Sequence, residues 1–304
     1  TVTLAFTVRK LSYPIFSVVI LFFCLFETSI NSYYQMDGIA NEWVFAARSS
    51  YQGKIPAINK LTRSLQDDHS FYRTEILQPQ TGNDSMKYNF RGISQFSSVR
   101  NTDTSSTLDK LGFKSDGTNL NLRYQNNTLL MDSLFGIKYN ISDRNPQKFA
   151  FHKLETQGNQ TLYQNEKALS LAFLTASPYK DIKFSNLTLD NQKNFLNHLT
   201  GQSLTFYQRL HPLKTGADDP SQGPQKAKVE ADSFLTYASI EYELYVQNDS
   251  QLYVNLPSLE FENEDYTDVE IITNGQVNRY TTDNVFPFFT IGHFTAGETI
   301  KIRI

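Results

Sequence analysis

The chain of 304 residues has one cysteine, Cys24, and one tryptophan, Trp43. A lone thiol excludes an internal disulfide and any multi-cysteine zinc site. Its five histidines are scattered with no HExxH spacing, which argues against a metal hydrolase, and no GxSxG, P-loop or GxGxxG run occurs. Charge of one sign is missing too. A net charge of -3 with 19% charged residues gives no long-range field that would attract nucleic acid or anionic lipid.

Aromatic side chains, by contrast, are plentiful: 23 Phe and 17 Tyr tilt the composition toward strand-rich packing, or toward surfaces that contact sugars and peptides. One long apolar run stands out, RKLSYPIFSVVILFFCLFETS from Arg9 to Ser29. A buried soluble helix would carry a polar stripe, and this run has none. A signal peptide fits the basic flank, but no small-x-small cleavage site follows. A membrane helix reaching about Ile30 fits best, with Arg9 and Lys10 setting its N-terminus in the cytoplasm and everything after about Asn31 outside the cell. TVTLAFTV, ahead of the basic pair, reads as the end of an earlier apolar segment.

Beyond the span, Ile55, Ile58, Leu61 and Leu65 recur at helical spacing, and HSFYRTEIL alternates like a strand. KYNFRGISQFSSV predicts a second extended stretch interrupted by Gly92. TSSTLDKLGF predicts a short helix with a Ser or Thr start that stops at Gly112. TLLMDSLFGIKYNIS reads as a helix ending at Gly136, then a strand from Ile137 to Ser142. FAFHKLETQGNQTLYQNEKALSLAFL reads as two strands around Gly158-Asn159, with a third run after them. DNQKNFLNHLTG reads as a helix with Phe195, Leu196 and Leu199 on one side and a stop at Gly201. A proline- and glycine-containing stretch over 212–228 reads as a linker. From Ser233, short alternating strands separated by NDS, NGQ and TAGE turns predict an antiparallel β-sandwich.

The expected class is therefore α+β: a span over 1–31, a mixed α+β extracytoplasmic domain over 32–211, the linker, and a sandwich over 229–304. Candidate ligand-binding residues are Tyr72, Arg73, Tyr88, Arg91, Ser97, Ser98 and Tyr139, types that line sugar or phosphate sites. The same tyrosines would serve equally as core residues and the arginines as surface charges. Sequons at Asn83, Asn126, Asn140, Asn159, Asn186 and Asn248 are what an Asn- and Thr-rich chain produces by chance. The carboxylates of SLEFENEDYTD read as a solvated strand face rather than a calcium site. A glycosidase would need two carboxylates at a defined separation, which sequence does not supply.

Taken in order, FYRTEI, KYNFRGISQFSSV, LLMDSLFGIKYNIS, LYQNEKALSLAFL, NFLNHLTG and LYVNLPS resemble the extracytoplasmic C-terminal region of the YfhO family of bacterial multi-pass membrane proteins. That resemblance implies a branch of the C-type glycosyltransferases, which draw sugar from a polyprenyl-phosphate donor and modify envelope polymers such as the lipoteichoic acid of Gram-positive bacteria. It implies three partners: the membrane, an upstream membrane domain and a cell-envelope glycopolymer. The family's catalytic acid lies upstream, so no catalytic residue, metal or cofactor is expected within this chain. The alternative is a non-catalytic, membrane-anchored module that binds glycans or proteins.

Overall fold

The computed structural model describes residues 12–42, 47–99, 101–113, 121–124, 126–175, 182–185, 187–210, 214–215, 241–255, 266–283 and 288–303. The chain divides into two compact units, Thr1–Gly53 and Lys54–Ile304.

In the first unit, helix α1 (Tyr13–Glu42) is followed by the short α2 (Arg48–Gly53). The thirty residues of α1 rise about 45 Å, more than the ~30 Å hydrocarbon core of a bilayer. The helix outruns the expected end near Ile30 because Asn31–Glu42 contains no proline and needs no partner for its backbone. Its apolar side chains are exposed all round. Thr28 and Ser29 each donate their hydroxyl to the carbonyl four residues back, Cys24 and Leu25, at 2.7 Å, so neither needs water. Arg9 and Lys10 lie outside the described residues.

The second unit opens with α3 (Ile55–Arg63), β1 (Arg73–Ile76), α4 (Asp84–Lys87), β2 (Gln95–Phe96), α5 (Thr102–Lys110), β3 (Asn121–Leu122), α6 (Leu129–Leu134), β4 (Ile137–Ser142), β5 (Phe151–Gln157), β6 (Gln160–Asn165) and α7 (Thr188–Thr200). One sheet has the order β1-β4-β6-β5, with β1 parallel to β4 and the other pairs antiparallel. Ile58, Leu61 and Leu65 pack onto it with Ile76, Tyr139, Ile141 and Leu162, as the helical spacing requires. A second cluster joins Leu111, Phe113, Leu122, Tyr124, Met131 and Ile137.

Several local expectations need correcting. KYNFRGISQFSSV is not one extended stretch: Lys87 closes α4, Asn89 turns at φ 55° and only Gln95–Phe96 pairs as strand. The cap of α5 is Asn101, whose side chain accepts from the Thr104 N–H at 2.9 Å, so the helix starts before the TSST run. The run after the β5–β6 hairpin forms no strand. The buried face of α7 is polar, made of Thr188, Asn191 and Gln192, while Phe195, Leu196 and Leu199 are half-buried. Asn191 Nδ2 and Gln192 Nε2 donate to the carbonyls of Lys110 and Leu111 at 2.9 and 3.0 Å. These are the carbonyls that the C-terminus of α5 leaves without a helical partner.

The C-terminal strands are β7 (Lys214–Thr215), β8 (Glu241–Tyr245), β9 (Ser250–Asn255), β10 (Tyr266–Thr273), β11 (Gln276–Asp283), β12 (Phe288–Phe294) and β13 (Thr299–Arg303). They form a five-stranded sheet, β11-β10-β13-β8-β7, and a β12-β9 pair, all antiparallel. Both sheets contribute to one apolar core of Val246, Leu252, Ile271, Phe289, Ile291, Ile300 and Ile302. Asn274 and Gly275 turn the β10–β11 hairpin at φ 49° and 84°, the conformation a two-residue turn demands. The class is α+β. Thr290 Oγ1 donates to the Asn126 carbonyl at 2.7 Å, and Leu129 N–H donates to Tyr253 Oη at 3.3 Å, tying these strands to the first residue of α6 and the turn before it. The linker apart from Lys214–Thr215, the sequon at Asn186 and Ser258–Asp265 of the acidic run lie outside the described residues.

Candidate functional site

Strand β1 is an edge strand, and the residues around it form two groups of different character. The exposed Phe71 ring has two guanidinium groups over it, with Arg73 Cζ 5.6 Å and Arg91 Cζ 5.1 Å from its centroid. Arg91 is brought there by its own carbonyl, which accepts from Thr74 N–H at 2.8 Å. Arg73 is held by a hydrogen bond from Nη1 to the Phe135 carbonyl.

Beside this arrangement Tyr72 meets Tyr139 edge to face at 4.9 Å. Asp68 Oδ2 accepts from Lys138 Nζ at 2.6 Å and Tyr139 Oη at 2.7 Å, while Ser70 binds Oδ1. Burial pushes the Asp68 carboxyl up, but the hydrogen bonds from Lys138, Ser70 and Tyr139 outweigh it and hold the group well below the usual carboxylate range. Tyr72 Oη donates to the Leu65 carbonyl at 3.2 Å.

The structure thus places Arg73 and Arg91 over one ring and Tyr72 against Tyr139, which is buried in the core. It separates the other three. Tyr88 is enclosed, donating its hydroxyl to Gln80, and Ser97 and Ser98 sit on an outer loop where Ser97 Oγ bonds the Val99 carbonyl at 2.9 Å. Asn140, one of the sequons, is buried and closed to modification in the folded chain.

Glu75 of β1 centres a group that sequence reasoning missed. Glu75 is fully enclosed, its carboxylate accepting from the N–H groups of Ile93 and Ser94 and from Ser94 Oγ at 2.8 Å. Gly92 leaves room there: a Cβ would stand 3.2 Å from Glu75 Oε1 and 3.1 Å from the Ser85 Cβ, so one of them would have to give by a few tenths of an ångström. Burial lifts the Glu75 carboxyl to about 7 against the donors around it, and the charge of Asp132 adds to the rise.

Asp132 of α6, Tyr124 and Lys148 form a closed triangle. Tyr124 Oη donates to Asp132 Oδ1 at 2.8 Å, Lys148 Nζ donates to Tyr124 Oη at 2.6 Å, and Lys148 pairs with Asp132 Oδ2. Burial pushes Asp132 up and Lys148 down, and each charge opposes the shift of the other. A signal for Asp132 existed in TLLMDSLF, where a carboxylate falls among apolar residues and must find a partner. Lys148, in an irregular loop, gave none. A triangle so enclosed is closed to a polymer and ties β3, α6 and the approach to β5 together.

Among the described residues no group of three or more His, Cys, Asp or Glu side chains is placed to hold a metal ion. These elements define a class, an α+β protein with a helix long and apolar enough to cross a membrane. The chain belongs to the family of the bacterial membrane protein YfhO, whose family model matches residues 1–304. Comparisons with curated proteins and with solved structures return no match.

Proposed function

We propose that this chain is the extracytoplasmic C-terminal part of a membrane glycosyltransferase, and that it recognises the envelope-polymer acceptor while a membrane part upstream transfers sugar from a polyprenyl-phosphate donor. The transfer half of this reading rests on the family. The recognition half is carried by one observation, the exposed Phe71 ring with the Arg73 and Arg91 guanidinium groups over it. An aromatic face accepts a sugar ring, and a guanidinium binds a phosphate through two parallel N–H donors, so this patch suits a phosphate-containing glycopolymer such as lipoteichoic acid.

The test is polymer glycosylation in cells carrying the full-length protein with Arg73→Ala and Arg91→Ala together. Loss of the sugar from the polymer at unchanged protein level supports the reading. Normal glycosylation removes the patch from it, and normal glycosylation after deletion of Lys54–Ile304 removes acceptor recognition from this chain altogether.

A further inference from the structure

The stretch after β6 is a surface loop made almost entirely of apolar residues that, among the described residues, none covers. Leu169, Leu171 and Phe173 are 48%, 48% and 47% exposed, and Leu174 is wholly exposed. The loop is fixed at both ends. Leu169 N–H donates to the Ser133 carbonyl at 2.9 Å, and Thr175 Oγ1 donates to the carbonyl of Leu199 in the last turn of α7. Two residues away on α7, Asn197 exchanges hydrogen bonds of 2.9 and 3.0 Å with the backbone of Leu204, which with Phe206 adds further exposed apolar surface.

A fixed loop that holds large apolar side chains in solvent is abnormal for a surface facing only water. In the sequence it is preceded by Lys167 and followed by Lys183, both exposed. Apolar and aromatic side chains edged by lysines are the composition of segments that lie at a bilayer interface, where the apolar groups enter the acyl boundary and the ammonium groups meet anionic headgroups. The same chain carries a helix suited to crossing a membrane, so a bilayer is the apolar phase that this chain itself can reach. We infer that the loop Leu169–Leu174 inserts into the interface of the lipid bilayer and seats the folded unit on the membrane. The inference is independent of the glycosyltransferase reading.

The experiment uses the full chain with Cys24→Ser, which leaves no other cysteine, and either Leu174→Cys or Val99→Cys labelled with nitrobenzoxadiazole. Val99, 87% exposed on another loop, is the water-facing control. The protein is reconstituted into phosphatidylcholine and phosphatidylglycerol vesicles containing nitroxide-labelled lipid. The expected result is a blue-shifted probe at position 174, quenched several-fold more strongly by the lipid nitroxide than the probe at 99. Equal quenching at the two positions overturns the inference. A blue shift at 174 without lipid quenching also overturns it, since a protein surface then covers the loop.

Discussion

Lys148 and Asp132 form an ion pair with almost no solvent contact, their side chains 1% and 0% exposed, and Tyr124 bonds to both. Such a pair is a specific fastening rather than a source of large net stability, because desolvating two charges offsets most of their attraction. Its strength shows when one partner is lost.

Lys148→Met leaves Asp132 buried without its cation. The expected loss is about 3 to 5 kcal/mol of unfolding free energy in a denaturant titration. The double variant Lys148→Met with Asp132→Leu recovers most of that loss. If the double variant is as unstable as the single one, Lys148 matters for packing and not for charge.

Glu75 gives a pH dependence of definite sign. Its carboxyl is raised from 4.5 to about 7 in the folded chain, so the folded state holds the proton more tightly than the unfolded state. Its contribution is fully present below about pH 4.5 and is lost as pH rises through 7. A shift of this size corresponds to roughly 3 kcal/mol. Glu75→Gln, uncharged at every pH, flattens that part of the profile. The check is the difference in unfolding free energy between the two proteins at pH 5 and pH 8, which shrinks or reverses in favour of the variant at the higher pH.

Asp68 has the opposite sign. Its carboxyl is held low by Lys138, Ser70 and Tyr139, so its contribution is present above the ordinary carboxylate range and lost as pH falls. Asp68→Asn is expected to lower stability most at neutral pH and to keep most of that loss at pH 3, where the folded carboxyl is still ionised; the gap to wild type closes only as the pH falls further, as read by thermal melts. A loss that does not shrink even there would assign the effect to shape instead.

Gly136 ends α6 at φ 65°, and a Cβ there would stand 3.2 Å from the Leu169 carbonyl. Gly136→Ala is expected to cost more than about 1 kcal/mol through strain at positive φ alone. Because the contact is to Leu169, hydrogen exchange at the Leu169 amide should rise in the variant more than exchange in β6.

Much of the frame was legible in the sequence, for reasons that lie close along the chain. Ile58, Leu61 and Leu65 announced α3 by spacing, and Gly136 and Gly201 marked helix ends because local backbone geometry demands them. The turn at Asn274-Gly275 was legible for the same reason. What stayed hidden was set by distant partners. The polar face of α7 looks unsuited to burial until Asn191 and Gln192 meet the carbonyls at the end of α5. Arg73 was named from residue type, but Phe71 became part of the same patch only when the backbone brought Arg91 across from another segment. Glu75 hid in a strand pattern, its partner Ser94 and the room at Gly92 invisible without the fold.

The hydrogen bond from Thr290 to Asn126 spans 164 residues, and it sets a clock on synthesis. At about 5–20 residues per second, Asn126 waits roughly 8 to 33 s for its partner to be made. During that time the sheet of β1, β4, β5 and β6 can close on local contacts, while the surface meant for Tyr253 and Thr290 stands open. The first half of the unit therefore spends its early life as an unfinished surface, finished only when nearly the last strand arrives.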